Sequence, residues 1–208
     1  MIKSFFQTPN YTKINGNPVY LKPKYIVLHH TAGAFKGSYN ILTNPKSNVS
    51  AHFIVDTNGD IYQLSDIKYI TWHAGVSSWE GLTNLNRYSI GIEVVGTDTF
   101  SDQQRASVKK LVEYLMLTLN IPAKNVIRHA DIAPKRKTDI NLNFFPNRNF
   151  ETWKKTLLPN TYTMNIPDWA KATIEKMKDK GITTDPATKL NDIPLYQLFV
   201  MIEKYLQK

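Results

Sequence analysis

The run Tyr25-Ile-Val-Leu-His-His30 constrains the fold more than any other stretch of this chain. An aromatic residue leads three aliphatic ones, two of them β-branched, which is the composition of a buried strand. The run then ends on two imidazoles. Strand ends beside loops are where α/β proteins place their sites, so a polar cluster is expected at that rim. Other short runs repeat the pattern. Ala51-His-Phe-Ile-Val-Asp56 and Ile61-Tyr-Gln-Leu64 flank Asn58-Gly59, a hairpin signal because the turn needs positive φ. Ser89-Ile-Gly-Ile-Glu-Val-Val95 and Val126-Ile-Arg-His129 read as further strands. Between them, Ser101 to Asn120 reads as a helix. Ser101 and Gln104 form a capping box, and Val108, Leu111, Val112, Leu115 and Leu119 make an apolar stripe. A closing helix is expected from Phe150 to Leu158. The sum is an α/β fold, a mixed central β-sheet with packed helices.

Four segments follow from this pattern. Residues 1–24 are rich in Asn, Pro, Thr and Lys and read as an irregular, basic lead-in. Residues 25–158 form the main domain, and 159–166 a linker. Residues 167–208 read as a small C-terminal helix pair. Pro167 opens its first helix, Gly181 stops it, and Pro194 opens the second, with Leu195, Leu198, Phe199, Ile202 and Leu206 on one stripe. So short a pair is marginal alone and is expected to dock on the main domain or on another copy.

Composition removes several function classes. The chain has no cysteine, which excludes disulfides, thiolate metal sites and a cysteine nucleophile. No apolar run approaches the roughly 18 residues of a membrane helix, so no transmembrane segment is expected. The first ten residues lack the apolar core of a secretory signal. The net charge of +9 favours an anionic partner, such as nucleic acid, an anionic membrane or a wall polymer. Lys135-Arg136-Lys137 is short for a nucleic-acid surface, and no nucleic-acid partner is expected.

The five histidines are His29, His30, His52, His73 and His129. His29 and His129 lie at strand ends, and Asp139 lies ten residues past His129 on a loop. Two imidazoles and a carboxylate form a three-ligand set of the kind a catalytic zinc uses, its fourth position kept for water. Any one of these histidines could equally be a core or surface residue.

The strings Val27-Leu-His-His-Thr-Ala32, Val49-Ser-Ala-His-Phe-Ile-Val55, Trp72-His-Ala-Gly75, Ser89-Ile-Gly-Ile-Glu93 and Arg128-His-Ala-Asp-Ile-Ala-Pro134, with Arg136-Lys-Thr-Asp139, stand in this order. Together they closely resemble the zinc-dependent N-acetylmuramoyl-L-alanine amidases, a family that includes phage lysozymes of the amidase type, wall-recycling amidases and peptidoglycan recognition proteins. The resemblance covers about residues 24–158. It implies that His29, rather than His30, is the first ligand of a Zn2+ ion, that His129 is the second and that Asp139, in Lys137-Thr-Asp139, is the third. It implies Glu93 as general base and Lys137 as the cation that steadies the oxyanion. It places His73 in the substrate cleft, with Trp72 and Trp79 as possible apolar faces for sugar or peptide. His30 and His52 are expected to be structural. In this branch Pro-Gly often follows the Asp, where this chain has Ile140-Asn141.

The implied reaction is hydrolysis of the amide between N-acetylmuramic acid and L-alanine in peptidoglycan. The C-terminal pair resembles one surface-layer-homology unit, which implies contact with anionic wall polymers. These features fit a phage endolysin, made in the host cytoplasm and released to the wall at lysis. A cytosolic muropeptide-recycling amidase and a non-catalytic peptidoglycan receptor are the alternatives.

Overall fold

Tyr25–His30 lies inside a six-stranded mixed sheet in the computed structural model, which describes residues 2–157. In chain order the strands are β1 (Ile2–Phe5), β2 (Lys13–Ile14), β3 (Asn17–Pro18), β4 (Tyr25–His30), β5 (Phe53–Val55), β6 (Ile61–Gln63), β7 (Ser78–Trp79), β8 (Leu82–Thr83), β9 (Ser89–Val94) and β10 (Val126–Arg128). The α-helices are α1 (Phe35–Thr43), α2 (Asp102–Leu119), α3 (His129–Ile132) and α4 (Phe150–Lys154). The large sheet runs β1-β6-β5-β9-β4-β10. Strands β5, β9, β4 and β10 are parallel, β6 is antiparallel to β5, and β1 is parallel to β6.

Parallel strands are buried on both faces, and β4 shows why its run has no polar alternation. Ile26, Val27 and Leu28 have no exposed surface. Tyr25 and Val27 pack with Ala74, Leu85, Ile127 and Ile132. A second cluster gathers Leu42, Ala51, Ile54, Leu64 and Val95. Side chains alternate along a strand, so His29 continues the face of Tyr25 and Val27.

Helix α2 forms as its sequence dictates. Ser101 Oγ accepts from the Gln104 N–H, and the Gln104 side chain accepts from the Ser101 N–H, both at 3.0 Å. Val108, Leu111, Val112 and Leu115 are fully buried. Asn120 closes the helix in the left-handed region. The Asn58-Gly59 turn joins β5 to β6, with Gly59 at φ +83°. A Cβ there would also lie 2.8 Å from the Gln103 carbonyl oxygen, so glycine is needed twice over.

The lead-in differs from the irregular segment expected of residues 1–24. Its first strand, β1, pairs with β6 at the sheet edge, and Ile2 is buried. Thr8 Oγ1 donates to the Leu42 carbonyl at 3.0 Å, and Asn10 Nδ2 donates to the carbonyls of Asn44 (2.8 Å) and Val49 (3.0 Å). Tyr11 and Tyr20 bridge to Thr71 and Tyr69. Edge pairing and buried polar anchors use backbone groups, which leave no apolar periodicity to read. The closing helix is shorter than expected, Phe150–Lys154. The linker and helix pair read over 159–208 lie outside the described residues. Among the described residues no helix is long and apolar enough to cross a membrane.

Candidate metal centre

Three parallel strands deliver the central groups to one rim. β4 ends on His29 and His30, and Glu93 lies opposite His29 in the β4–β9 register. Arg128 pairs with Leu28 in the β10–β4 register, so His129 leaves its strand level with His29. Asp139 returns on the following loop, which is closed by the Ala130 N–H donating to the Asp139 carbonyl at 2.5 Å.

The three side chains converge. His29 Nδ1 lies 2.8 Å from His129 Nδ1 and 3.4 Å from Asp139 Oδ2, and His129 Nδ1 lies 3.0 Å from the same oxygen. All three residues are buried. A tetrahedral zinc about 2.0–2.1 Å from its ligands holds them roughly 3.3 Å apart, so the triangle has the right size.

Proton placement gives an independent test of fit. His129 Nε2 lies 3.1 Å from the Ala74 carbonyl oxygen, which can only accept. Arg136 Nη2 uses its two hydrogens on the carbonyls of Ala74 and Val76, each at 2.8 Å, and has none left for the imidazole. His129 Nε2 therefore carries the proton, and the neutral ring turns its Nδ1 lone pair toward the Asp139 carboxylate. Two acceptors facing at 3.0 Å repel unless a cation lies between them. His29, His129 and Asp139 thus fit a metal ion by size and by chemistry.

The surroundings tune the charges. Burial lowers the His29 pKa to about 4, so this ring is neutral at pH 7. Burial, reinforced by the charge of Asp139 and opposed by Lys137, pushes the Glu93 carboxyl up to about 8. Its buried Oε2 has no hydrogen-bond partner. A cavity of about 280 Å³ is lined by Glu93, Lys137, His129, Asp139, Trp72 and Val49, among others. The implied base and cation thus face the same space as the metal set.

The remaining residues take different places. Trp72 is half-buried at this cavity, with its indole Nε1 donating to Thr12 Oγ1 at 3.1 Å. Trp79 packs against the Tyr25 and Val27 cluster. His73 lines the same cavity, and its ring nitrogens meet protein partners, Nδ1 with His29 Nε2 at 3.0 Å and Nε2 with the Ser89 carbonyl at 3.3 Å. His52 is fully buried, its Nδ1 accepting from the Gly91 N–H at 3.0 Å and its Nε2 donating to the Tyr69 carbonyl at 2.9 Å. His30 is half-buried and accepts from the Asn141 N–H at 3.2 Å. Sequence reasoning missed Arg136 as a clamp on the Ala74 carbonyl, because a lysine-flanked arginine looks like solvated charge.

Comparison with known proteins agrees with this fold. The family model for N-acetylmuramoyl-L-alanine amidase, Amidase_2, matches residues 19–142. The N-acetylmuramoyl-L-alanine amidase AmiD of Escherichia coli (strain K12) is 35% identical over 146 residues, 62% of this chain and 52% of AmiD. The chain thus spans about half the length of that curated relative. A solved complex of AmiD with the substrate anhydro-N-acetylmuramic acid-L-Ala-D-gamma-Glu-L-Lys superposes with a TM-score of 0.54 at 33% identity, covering 65% of this chain and 58% of that one. A crystal structure of an AmpD derivative gives a TM-score of 0.59 at 29% identity, covering 70% and 90%. A mutant endolysin from Bacillus subtilis gives 0.55 at 27% identity, covering 74% and 96%. The family match encloses the ends of β4, β9 and β10 together with His29, Glu93, His129, Lys137 and Asp139, and the chain belongs to the Amidase_2 family of N-acetylmuramoyl-L-alanine amidases.

Proposed function

We propose that this chain is a zinc-dependent amidase that cleaves the amide between N-acetylmuramic acid and L-alanine in peptidoglycan. The observation that carries the proposal is the convergence of His29 Nδ1, His129 Nδ1 and Asp139 Oδ2, with His129 and Asp139 lining a cavity together with Glu93 and Lys137. Zinc held by those three residues supplies Lewis acidity toward an amide carbonyl and makes water more acidic. Glu93 takes the proton from the attacking water. Its burial beside Asp139 gives the carboxylate a proton affinity suited to a base near neutral pH. Lys137 faces the same cavity and offsets negative charge developing on the carbonyl oxygen. Val49 and Trp72 give that cavity an apolar wall, which helps exclude water from the reacting amide.

The substrate follows from chemistry and from the relative. AmiD is solved with a muramyl peptide containing this amide. A receptor without catalysis has no use for a buried, unpartnered carboxyl oxygen beside a metal set, and Glu93 Oε2 is one. The +9 charge suits an anionic wall, and we take action on intact walls, as an endolysin released at lysis, as the setting. The AmpD likeness favours soluble muropeptides as a second reading.

Digestion of peptidoglycan with and without a chelator tests the proposal. New L-alanine amino termini that vanish with chelator, with no new reducing sugar ends, are the expected result. Absence of release from every wall type and from soluble muropeptides, with zinc bound, overturns it. Relative rates on intact walls and soluble fragments separate the two settings.

A further inference from the structure

The ligand nitrogens that face away from Asp139 both end on one dipeptide. His29 Nε2 lies 3.0 Å from His73 Nδ1, and His129 Nε2 lies 3.1 Å from the Ala74 carbonyl. The His73 proton can be located from its other neighbours. Ser89 Oγ donates to the Leu85 carbonyl at 2.6 Å. Toward His73 Nε2, Ser89 Oγ and the Ser89 carbonyl, each at 3.3 Å, therefore offer only lone pairs. Nε2 of His73 must donate, which leaves its Nδ1 as an acceptor. His29 Nε2–H donates to it, and the Nδ1 lone pair of His29 is thereby turned to His129 and Asp139.

The dipeptide is itself held on three sides. Asn86 Oδ1 accepts from the backbone N–H groups of His73 at 3.0 Å and Ala74 at 2.7 Å. Arg136 grips the Ala74 carbonyl from beyond. On β9, a Cβ at residue 91 would lie 2.4 Å from His73 Cγ, so Gly91 gives the ring its space.

We propose that His73 is a positioning residue for the metal, acting through His29. It fixes the tautomer of His29 as the Ala74 carbonyl fixes that of His129, and Asn86 keeps both in register with the ligands. One side chain, Asn86, thus couples the two imidazole ligands. The proposal rests on the metal reading of His29, His129 and Asp139. Loss of such outer partners typically weakens metal binding about 10–100-fold.

The test is zinc affinity of the full chain, measured by competition with a chromophoric chelator, with the melting temperature of the metal-free protein as the control for folding. His73→Leu removes the acceptor and should weaken zinc binding about 10–100-fold. His73→Asn places a carbonyl oxygen near the Nδ1 position and should recover most of that loss. Leucine and asparagine variants that lose affinity equally overturn the proposal, as does a leucine variant that binds like the parent. Should the variants fail to fold, ¹⁵N spectra of the histidine rings in the metal-free parent decide. An Nε2–H tautomer at His29 supports the role of His73, and an Nδ1–H tautomer overturns it. A parent chain that binds no zinc overturns the metal reading, while the same spectra still report on His73.

Discussion

His29 and Glu93 are register partners across the parallel ladder of β4 and β9. Partners in a ladder point to the same face, so one pleat places a metal ligand and an acid-base group side by side. Neither depends on a loop for its position. Asp139 and Lys137 do, and they approach the same space from the segment after α3.

Asp139→Ala should abolish zinc binding and activity. It removes the one carboxylate oxygen that faces the two Nδ1 lone pairs and completes the three-ligand set. Metal analysis of the purified variant is the check, and full zinc occupancy would show that the third ligand lies elsewhere.

Glu93→Gln should keep zinc and lose turnover. The side chain has no hydrogen-bond partner at Oε2, so the amide substitution leaves the fold intact. Removing a general base costs about 10²–10⁴-fold in kcat. Near-parental kcat with zinc bound would remove Glu93 from the chemistry.

The pH profile follows from the same carboxyl. A base works deprotonated, so kcat/KM should rise with pH. Burial places the limb above the ordinary 4.5, toward about 8, and a bound cation moves it back down within that window. A profile that falls with pH across this range, or a limb unchanged in Glu93→Gln, contradicts the assignment.

Stability should depend on pH through His52. Burial lowers its pKa from 6.5 to about 4. Below pH 6.5 the unfolded chain binds a proton that the folded one refuses, so stability falls as pH drops from there through about 4. Urea unfolding of the metal-free protein at pH 7 and 5 should show the loss. The loss should be smaller in His52→Gln, and equal losses would assign the effect to other groups.

Deleting residues 1–10 should lower the melting temperature markedly. The deletion removes β1, the Thr8 bond to Leu42 and the Asn10 bonds to Asn44 and Val49. An unchanged melting temperature would return this segment to the role of a solvated leader.

Much of the centre of the fold was legible because its signals are local. The β4 run, the Asn58-Gly59 turn and the Ser101 capping box each state their structure within a few residues. Helix α1 was not legible. Its N-cap, Ala34, offers no side-chain cap, and the helix contains Gly37 and buries only Ser38 and Leu42. Edge strand β1 escaped for a related reason, since its pairing is made by the backbone. At the site, His29, His129 and Asp139 stood out as ligand types at strand ends and on a loop. The place of His73 did not. The string Trp72-His-Ala-Gly75 says that an imidazole follows an indole, but not that its two nitrogens close on His29 and Ser89. That depends on β9 presenting Gly91, which alone leaves room for the ring. Arg136 likewise became a clamp only when the loop folded back onto Ala74 and Val76.

The acceptor triangle has a consequence for the life of the protein. His29, His129 and Asp139 turn lone pairs on one another at 2.8–3.4 Å, an arrangement that costs the fold when nothing positive lies between them. On the zinc reading, the ion binds the native chain and not the unfolded one, and at a hundred times its dissociation constant it adds about 2.7 kcal/mol of stability. Folding is then tied to the metal supply. A cell short of zinc would hold fewer surviving copies of the protein as well as idle ones, because chains that open more often are cleared by proteases sooner.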